Sequence, residues 1–144
     1  MENPFSYKSS NDATGFLLWQ VHNKWSREIK KALLPLGLTH TQFVILASAY
    51  WLILHGENIT QIQIAQHANA DVMMTSNILR TLQKKGLISR KEHQTDTRAK
   101  VIQVTDEGIA VLKKAVTAVE SFDRKFFNAI DDTDSFNKAL LQLL

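Results

Sequence analysis

Residues 60–105 read TQIQIAQHANADVMMTSNILRTLQKKGLISRKEHQTDTRAKVIQVT, from Thr60 to Thr105, and the fold turns on how this stretch is parsed. Its first half predicts two short amphipathic helices. In the second of them Thr75, Ile78, Leu79 and Leu82 recur at one-turn spacing and share one face. With that face buried, Met73, Asn77, Arg80 and Lys84 point the opposite way, and Ser76 stands beside them. A short helix that shows hydrogen-bonding groups and cations outward suits the major groove of DNA. A solvated basic surface helix would carry the same pattern, so the helix by itself leaves both readings open.

After Gly86 the period changes. Leu87–Lys91 and Lys100–Val104 are short and β-rich, with polar, turn-forming HQTDTRA between them. Two such strands closing on a polar tip predict a β-hairpin. Helix, turn, helix and hairpin together make a winged helix-turn-helix.

The cations gather in the same place. From Arg80 to Lys100 there are Arg80, Lys84, Lys85, Arg90, Lys91, Arg98 and Lys100 against the acids Glu92 and Asp96, although the whole chain carries only +3. The stretch after Glu120 leans acidic, with Asp123, Asp131, Asp132 and Asp134. A cationic centre beside a neutral-to-acidic end points to a polyanion on one face. At 144 residues the chain is one compact fold with a real core.

It has no cysteine, which excludes disulfides, thiol catalysis and thiolate zinc sites. The N-terminus lacks the basic and apolar regions of a signal peptide, and no apolar run is long enough for a bilayer span. The expected location is therefore cytoplasmic, away from membranes. His22, His40, His55, His67 and His93 lie on different elements without a metal-binding spacing, so neither metal nor cofactor is expected. There is no Gly-rich phosphate loop, paired-carboxylate site or nucleophile motif, which argues against an enzyme.

Outside the central stretch, Met1 to about Ser10 reads as a polar arm. Asn11, Asp12 or Thr14 is the expected cap of a long helix to about Leu34, whose stripe is Leu17, Leu18, Val21, Trp25, Ile29, Ala32 and Leu33. Pro35 and Gly37 end it. Gln42 to about Leu54, apolar nearly all round, is the expected central helix. Thr105 caps a fifth helix striped by Ile109, Leu112, Val116, Val119, Phe122 and Phe126. Asp131 to Asp134 break it, and a last helix runs from Ser135 to the leucine-rich end. That tail is too apolar to stand alone in water, so dimerisation through the terminal helices is expected. The fold class is thus mainly α with a small β wing. Residues 1–36 form an arm and dimerisation helix, 37–104 a DNA-binding lobe, and 105–144 the C-terminal dimerisation helices.

Two blocks carry a resemblance. Leu82-Gln83-Lys84-Lys85-Gly86-Leu87-Ile88-Ser89-Arg90, then Asp96-Thr97-Arg98 with Val104-Thr105-Asp106-Glu107-Gly108, resemble the helix end and wing signature of the MarR family of bacterial transcription regulators. Val104 stands where that family usually has leucine, and Asp71-Val72-Met73-Met74 is an unusual start to its reading helix. The resemblance implies an obligate homodimer on a palindromic site in double-stranded DNA. Reading helices would enter successive major grooves, and wings the adjacent minor grooves. It implies that Arg98 is the minor-groove arginine, held by Asp96; a surface Asp–Arg pair stabilising a turn is the plainer alternative. Met73, Ser76 and Asn77 are the candidates for base contacts and Arg80 for base or phosphate. Lys84, Arg90 and Lys91 are the candidates for phosphate. The resemblance also implies a small phenolic or aromatic effector between the dimerisation helices and the lobe. Trp19, His22, Trp25, Tyr50, Trp51 and His40 are candidates for that pocket, unless they are plain core. The expected function is a sequence-specific DNA-binding repressor released by such an effector. The competing one is a winged-helix module that docks protein or RNA and reads no operator.

Overall fold

The computed structural model describes residues 2–92, 94–96 and 99–144. Six α-helices and a hairpin follow in the order α1 (Thr14–Leu33), α2 (His40–His55), α3 (Gln61–His67), α4 (Val72–Lys84), β1 (Ile88–Glu92), β2 (Lys100–Val104), α5 (Asp106–Phe127) and α6 (Thr133–Leu141). The architecture is the expected winged helix-turn-helix between long terminal helices.

α2 is the hub. Its side chains are apolar on almost every face, and it packs against α1, α3, α4, α5 and β2. Ile45, Leu46 and Ala49 are fully enclosed there with Leu38, Ile64, Leu79, Leu82, Ile102 and Leu112 from the surrounding elements. Thr39 caps α2 by accepting from Gln42 N–H at 3.2 Å, while Gln42 Oε1 accepts from Thr39 N–H at 3.3 Å.

The turn between α3 and α4 follows from two side chains. Asn69 takes φ 48°, a left-handed position that asparagine tolerates. Its N–H reaches Gln66 O, and Ala70 N–H reaches Ala65 O at 2.8 Å, closing the end of α3. Asp71 then caps α4 by accepting from Met74 N–H at 2.8 Å. At the far end of α4, Gly86 at φ 74° repeats the closure, with Leu87 N–H on Leu82 O at 3.0 Å.

The hairpin is antiparallel, with Ile88 opposite Val104 and Glu92 opposite Lys100. Ile102 N–H also reaches Ile59 O at 2.8 Å, so the segment before α3 adds a short third rung. Thr105 ties α5 to this sheet. Its Oγ1 donates to Gly86 O at 2.6 Å and accepts from Gly108 N–H at 3.0 Å, and its own N–H meets Leu87 O at 3.0 Å.

The ends depart from expectation. Ser9, not Asn11, Asp12 or Thr14, supplies the cap, and it caps a separate 3-10 turn (Ser10–Asp12); α1 starts after Ala13 without a side-chain cap. Of the α1 stripe only Ile29 and Leu33 are buried, while Leu17, Leu18 and Val21 are exposed, as is Trp19 beside them. The N-terminal arm is less polar than expected, because Phe5 and Tyr7 stand out in solvent. α6 buries no residue, and Leu141, Leu143 and Leu144 are exposed. Among the described residues no single helix is long and apolar enough to cross a membrane.

Candidate nucleic-acid interface

α4 has two faces with different duties. Thr75, Leu79 and Leu82 are sealed against α2 and α3, and Thr75 Oγ1 donates to Asp71 O at 2.8 Å, which satisfies its buried hydroxyl. The opposite face shows Met73 at 75 % exposure, with Asn77, Arg80 and Lys84 along the same side and Ser76 half-buried at its edge. Asn77 Oδ1 accepts from Arg80 Nη1 at 3.3 Å, so the two form a joined polar fork one turn apart. Such a surface offers an apolar contact for thymine methyls, an amide for base edges and cations for phosphate. Met74 is partly exposed and borders a hollow with His40, Val44 and Ile45.

The other cations divide. Lys91 is exposed on β1. Arg90 is half-buried: its Nη2 donates to Ser76 O at 3.2 Å, and its Nε has no hydrogen-bond partner among the described residues. Burial, and then the neighbouring Arg80 cation, lower its pKa from the ordinary guanidinium value. Lys85 turns away from the reading face. Its Nζ donates to Gly37 O and, at 2.9 Å, to Gln42 Oε1, bridging the end of α4 to the corner between α1 and α2. No feature of the LQKKG run distinguishes this lysine from Lys84. Asp96 is exposed near the wing tip, with Ala99 N–H on its carbonyl at 3.1 Å. Arg98 and His93 lie outside the described residues.

The effector-pocket candidates do not converge as a set. Trp25 meets His40 edge-on at 4.9 Å and His22 at 6.4 Å, and its Nε1 donates to Asp123 Oδ1 at 2.8 Å. Trp19 instead stacks on Phe16, and Trp51 lies against His55 at 4.6 Å. Tyr50 packs on the core. Beside His40 is a hollow of about 420 Å³ lined by Ser26, Arg27, Lys30, Leu34, Leu38 and Thr39. Asp123 is a member of this cluster that the sequence could not reveal, since it lies 98 residues from Trp25.

Burial, and then the nearby His22, lower the His40 pKa from 6.5, against a smaller upward pull from Asp123. The folded chain therefore holds His40 neutral where the unfolded chain already takes up a proton. Its contribution to stability is full above about 6.5 and is lost as pH falls below that value toward the folded pKa. Between pH 7.5 and 5, the Tm of His40→Gln should fall less than that of the wild type; an equal or larger drop would contradict this environment.

Comparison with known proteins places this geometry. The MarR family pattern matches residues 38–100, which run from just before α2 to the first residue of β2. The HTH-type transcriptional regulator YdcH of Bacillus subtilis is 38 % identical over 144 residues, covering 100 % of this chain and 98 % of that one. The structure of CouR from Rhodococcus jostii RHA1 bound to p-coumaroyl-CoA superposes with TM-score 0.81 at 27 % identity, covering 95 % and 93 % of the two chains. A mutant MarR from E. coli complexed with operator DNA shares the fold at TM-score 0.81 and 22 % identity, covering 96 % and 99 %. The B. subtilis relative is a transcriptional regulator, not an enzyme. The chain belongs to the MarR family and is a transcriptional regulator.

Proposed function

We propose that the protein is a homodimeric repressor that binds a palindromic operator in double-stranded DNA and leaves it when a small effector binds. The outward face of α4 carries the reading. It presents Met73, Ser76 and Asn77 for bases, Arg80 for base or phosphate, and Lys84 for phosphate, beside a wing bearing Arg90 and Lys91. Arg98, with Asp96, enters the adjacent minor groove. The proposed division of labour puts the arm and α1 (1–36) and the C-terminal helices (105–144) in the dimer, and the lobe (37–104) on the duplex. The exposed apolar side chains at both ends of the chain support that division. For the effector we assign the His22–Trp25–His40 cluster and its cationic hollow, and the p-coumaroyl-CoA bound to CouR supports a phenolic or aromatic class. A chain with this role works in the cytoplasm.

Selection of duplexes from a random pool, repeated with Asn77→Ala and Arg98→Ala, tests the reading. Each substitution should weaken binding to the selected palindrome by roughly tenfold or more, the worth of a base-edge or groove contact of about 1–3 kcal/mol. If both variants bind with wild-type affinity and selectivity, the operator-binding function is wrong and a protein- or RNA-docking module takes its place.

A further inference from the structure

On sequence Arg90 is one more phosphate contact, and its surroundings do not suit that duty. It sits in the middle of β1 opposite Ile102, yet its side chain leaves the strand and crosses to α4. There Nη2 donates to the carbonyl of Ser76, at 3.2 Å, in a part-buried setting. Ser76 is flanked on the reading face by Asn77, and Arg80 follows one turn later. The guanidinium therefore touches the backbone of the reading helix at the level where that helix would meet bases. Its Nε is shielded from solvent, so that edge of the group is closed to a phosphate. Two cations, Arg80 and Arg90, are held near each other here, on Asn77 Oδ1 and Ser76 O, and among the described residues neither has an ion pair with a carboxylate. An arrangement of that kind costs free energy in the free protein, and position, more than charge, is what it supplies.

We propose that Arg90 is a positioning residue that fixes the angle between the reading helix and the wing, so that α4 and the hairpin enter their grooves as one rigid body. Arginine suits the duty because its planar fork reaches farther than lysine and holds a carbonyl in one direction. The short path from Gly86 to Ile88 already joins the end of α4 to the start of β1. That joint, with Ile88 and Ile102 buried beside Leu79 and Leu82, holds the base of the hairpin. The bond from Arg90 to Ser76, made further along both elements, fixes the angle of the wing beyond that base. Opposite, the same side chain borders a hollow with Thr60, Gln61, Ile62, Ala99 and Lys100, so the start of α3 meets the same joint.

The inference rests on the operator-binding reading, and it separates from a phosphate role by what the protein loses. A phosphate contact carries no sequence information and adds about one to the salt exponent of binding. A brace carries selectivity and adds little to the exponent. The experiment measures Kd for the selected palindrome and for a scrambled duplex across a salt series, with wild type, Arg90→Lys and Arg90→Met, after thermal melting confirms that each variant is folded. The expected result is that both variants lose about tenfold in the ratio of the two Kd values. The salt exponent of Arg90→Lys should stay at the wild-type value and that of Arg90→Met should fall by much less than one. Lysine keeps the charge but falls a bond short of Ser76 O. The inference is overturned if Arg90→Lys restores the wild-type ratio, or if Arg90→Met lowers the exponent by about one with the ratio unchanged. A wild-type protein that does not discriminate the two duplexes overturns operator reading itself, and the brace with it.

Discussion

Gly108→Ala is expected to destabilise the protein by about 3 kcal/mol or more, a large share of the roughly 5–15 kcal/mol by which an ordinary domain is stable. A Cβ at this position overlaps the carbonyl oxygen of Leu87 and stands 2.9 Å from Leu87 C and from Val104 Cγ1. Neither obstacle is the far end of a flexible side chain. Leu87 O accepts the Thr105 N–H, and the next residue, Ile88, is already in register with Val104. To make room, the first turn of α5 has to rise off the sheet, which breaks the Thr105 bonds to Gly86 O and Gly108 N–H as well. Urea unfolding measures the loss. Gly15→Ala in α1 is the control, because nothing lies within 4 Å of the added carbon. It should be neutral or gain up to about 1 kcal/mol from helix propensity. A Gly108→Ala midpoint close to that of wild type would mean that α5 does not rest on Leu87.

On the proposed function, removing the chain after Asp132 is expected to abolish the proposed dimer and, with it, at least a hundredfold of operator affinity. α6 buries nothing within its own chain, and it meets the rest of the fold through the ring of Phe136 on Phe127 at 6.1 Å. Leu141, Leu143 and Leu144 are 67 %, 78 % and 86 % exposed, and Leu18 and Trp19 on α1 are 57 % and 63 % exposed. So much apolar surface at two ends of a folded chain is rare unless a second molecule covers it. A monomer carries one reading helix and half of the phosphate contacts. The electrostatic part of binding grows with the number of phosphates neutralised, so halving it costs orders of magnitude at ordinary salt. Sedimentation of the truncated and full-length chains decides the matter, with operator titration alongside. A truncated chain that remains a well-behaved dimer would remove α6 from the interface.

The sequence made the lobe legible because each of its boundaries is written in local chemistry. Thr39 and Asp71 cap by hydrogen bonds to residues three positions on, and Asn69 and Gly86 close helices by their backbone preferences. The one-turn spacing of Thr75, Leu79 and Leu82 needed only α2 and α3 to bury it. The site was legible in composition and less so in geometry. Lys84 and Lys85 are adjacent and alike, yet one lies on the reading face and the other is tied to Gly37, a distinction made by a residue 48 positions away. Arg90 and Lys91 part in the same way, because alternation along a strand sends one side chain toward α4 and the other to solvent. The tryptophans were the least readable. Spacing along α1 and α2 placed them on helices but not on a common face, and only the long-range bond to Asp123 shows which of them faces the α5 side. At the N-terminus, paired serines suggested a polar arm, while the alternating Phe5 and Tyr7 were the overlooked signal.

The bridge made by Lys85 gives the reading helix a fulcrum. One ammonium group holds the trailing end of α4 to the backbone at Gly37 and to the amide of Gln42, at the corner where α1 hands over to α2. The leading end, with Met73, Ser76 and Asn77, has no such tether to that corner. Val72–Lys84 is 13 residues, a lever of roughly 20 Å at about 1.5 Å per residue. Because α4 is also sealed into the core through Thr75, Leu79 and Leu82 and joined to the wing at Ser76, a shift of the corner carries the lobe as a whole; a turn of about 10° about the tethered end sweeps the leading end through roughly 3.4 Å, about one step along a DNA strand. In the proposed complex, so small a turn of the intact lobe is enough to put α4 out of register with the duplex.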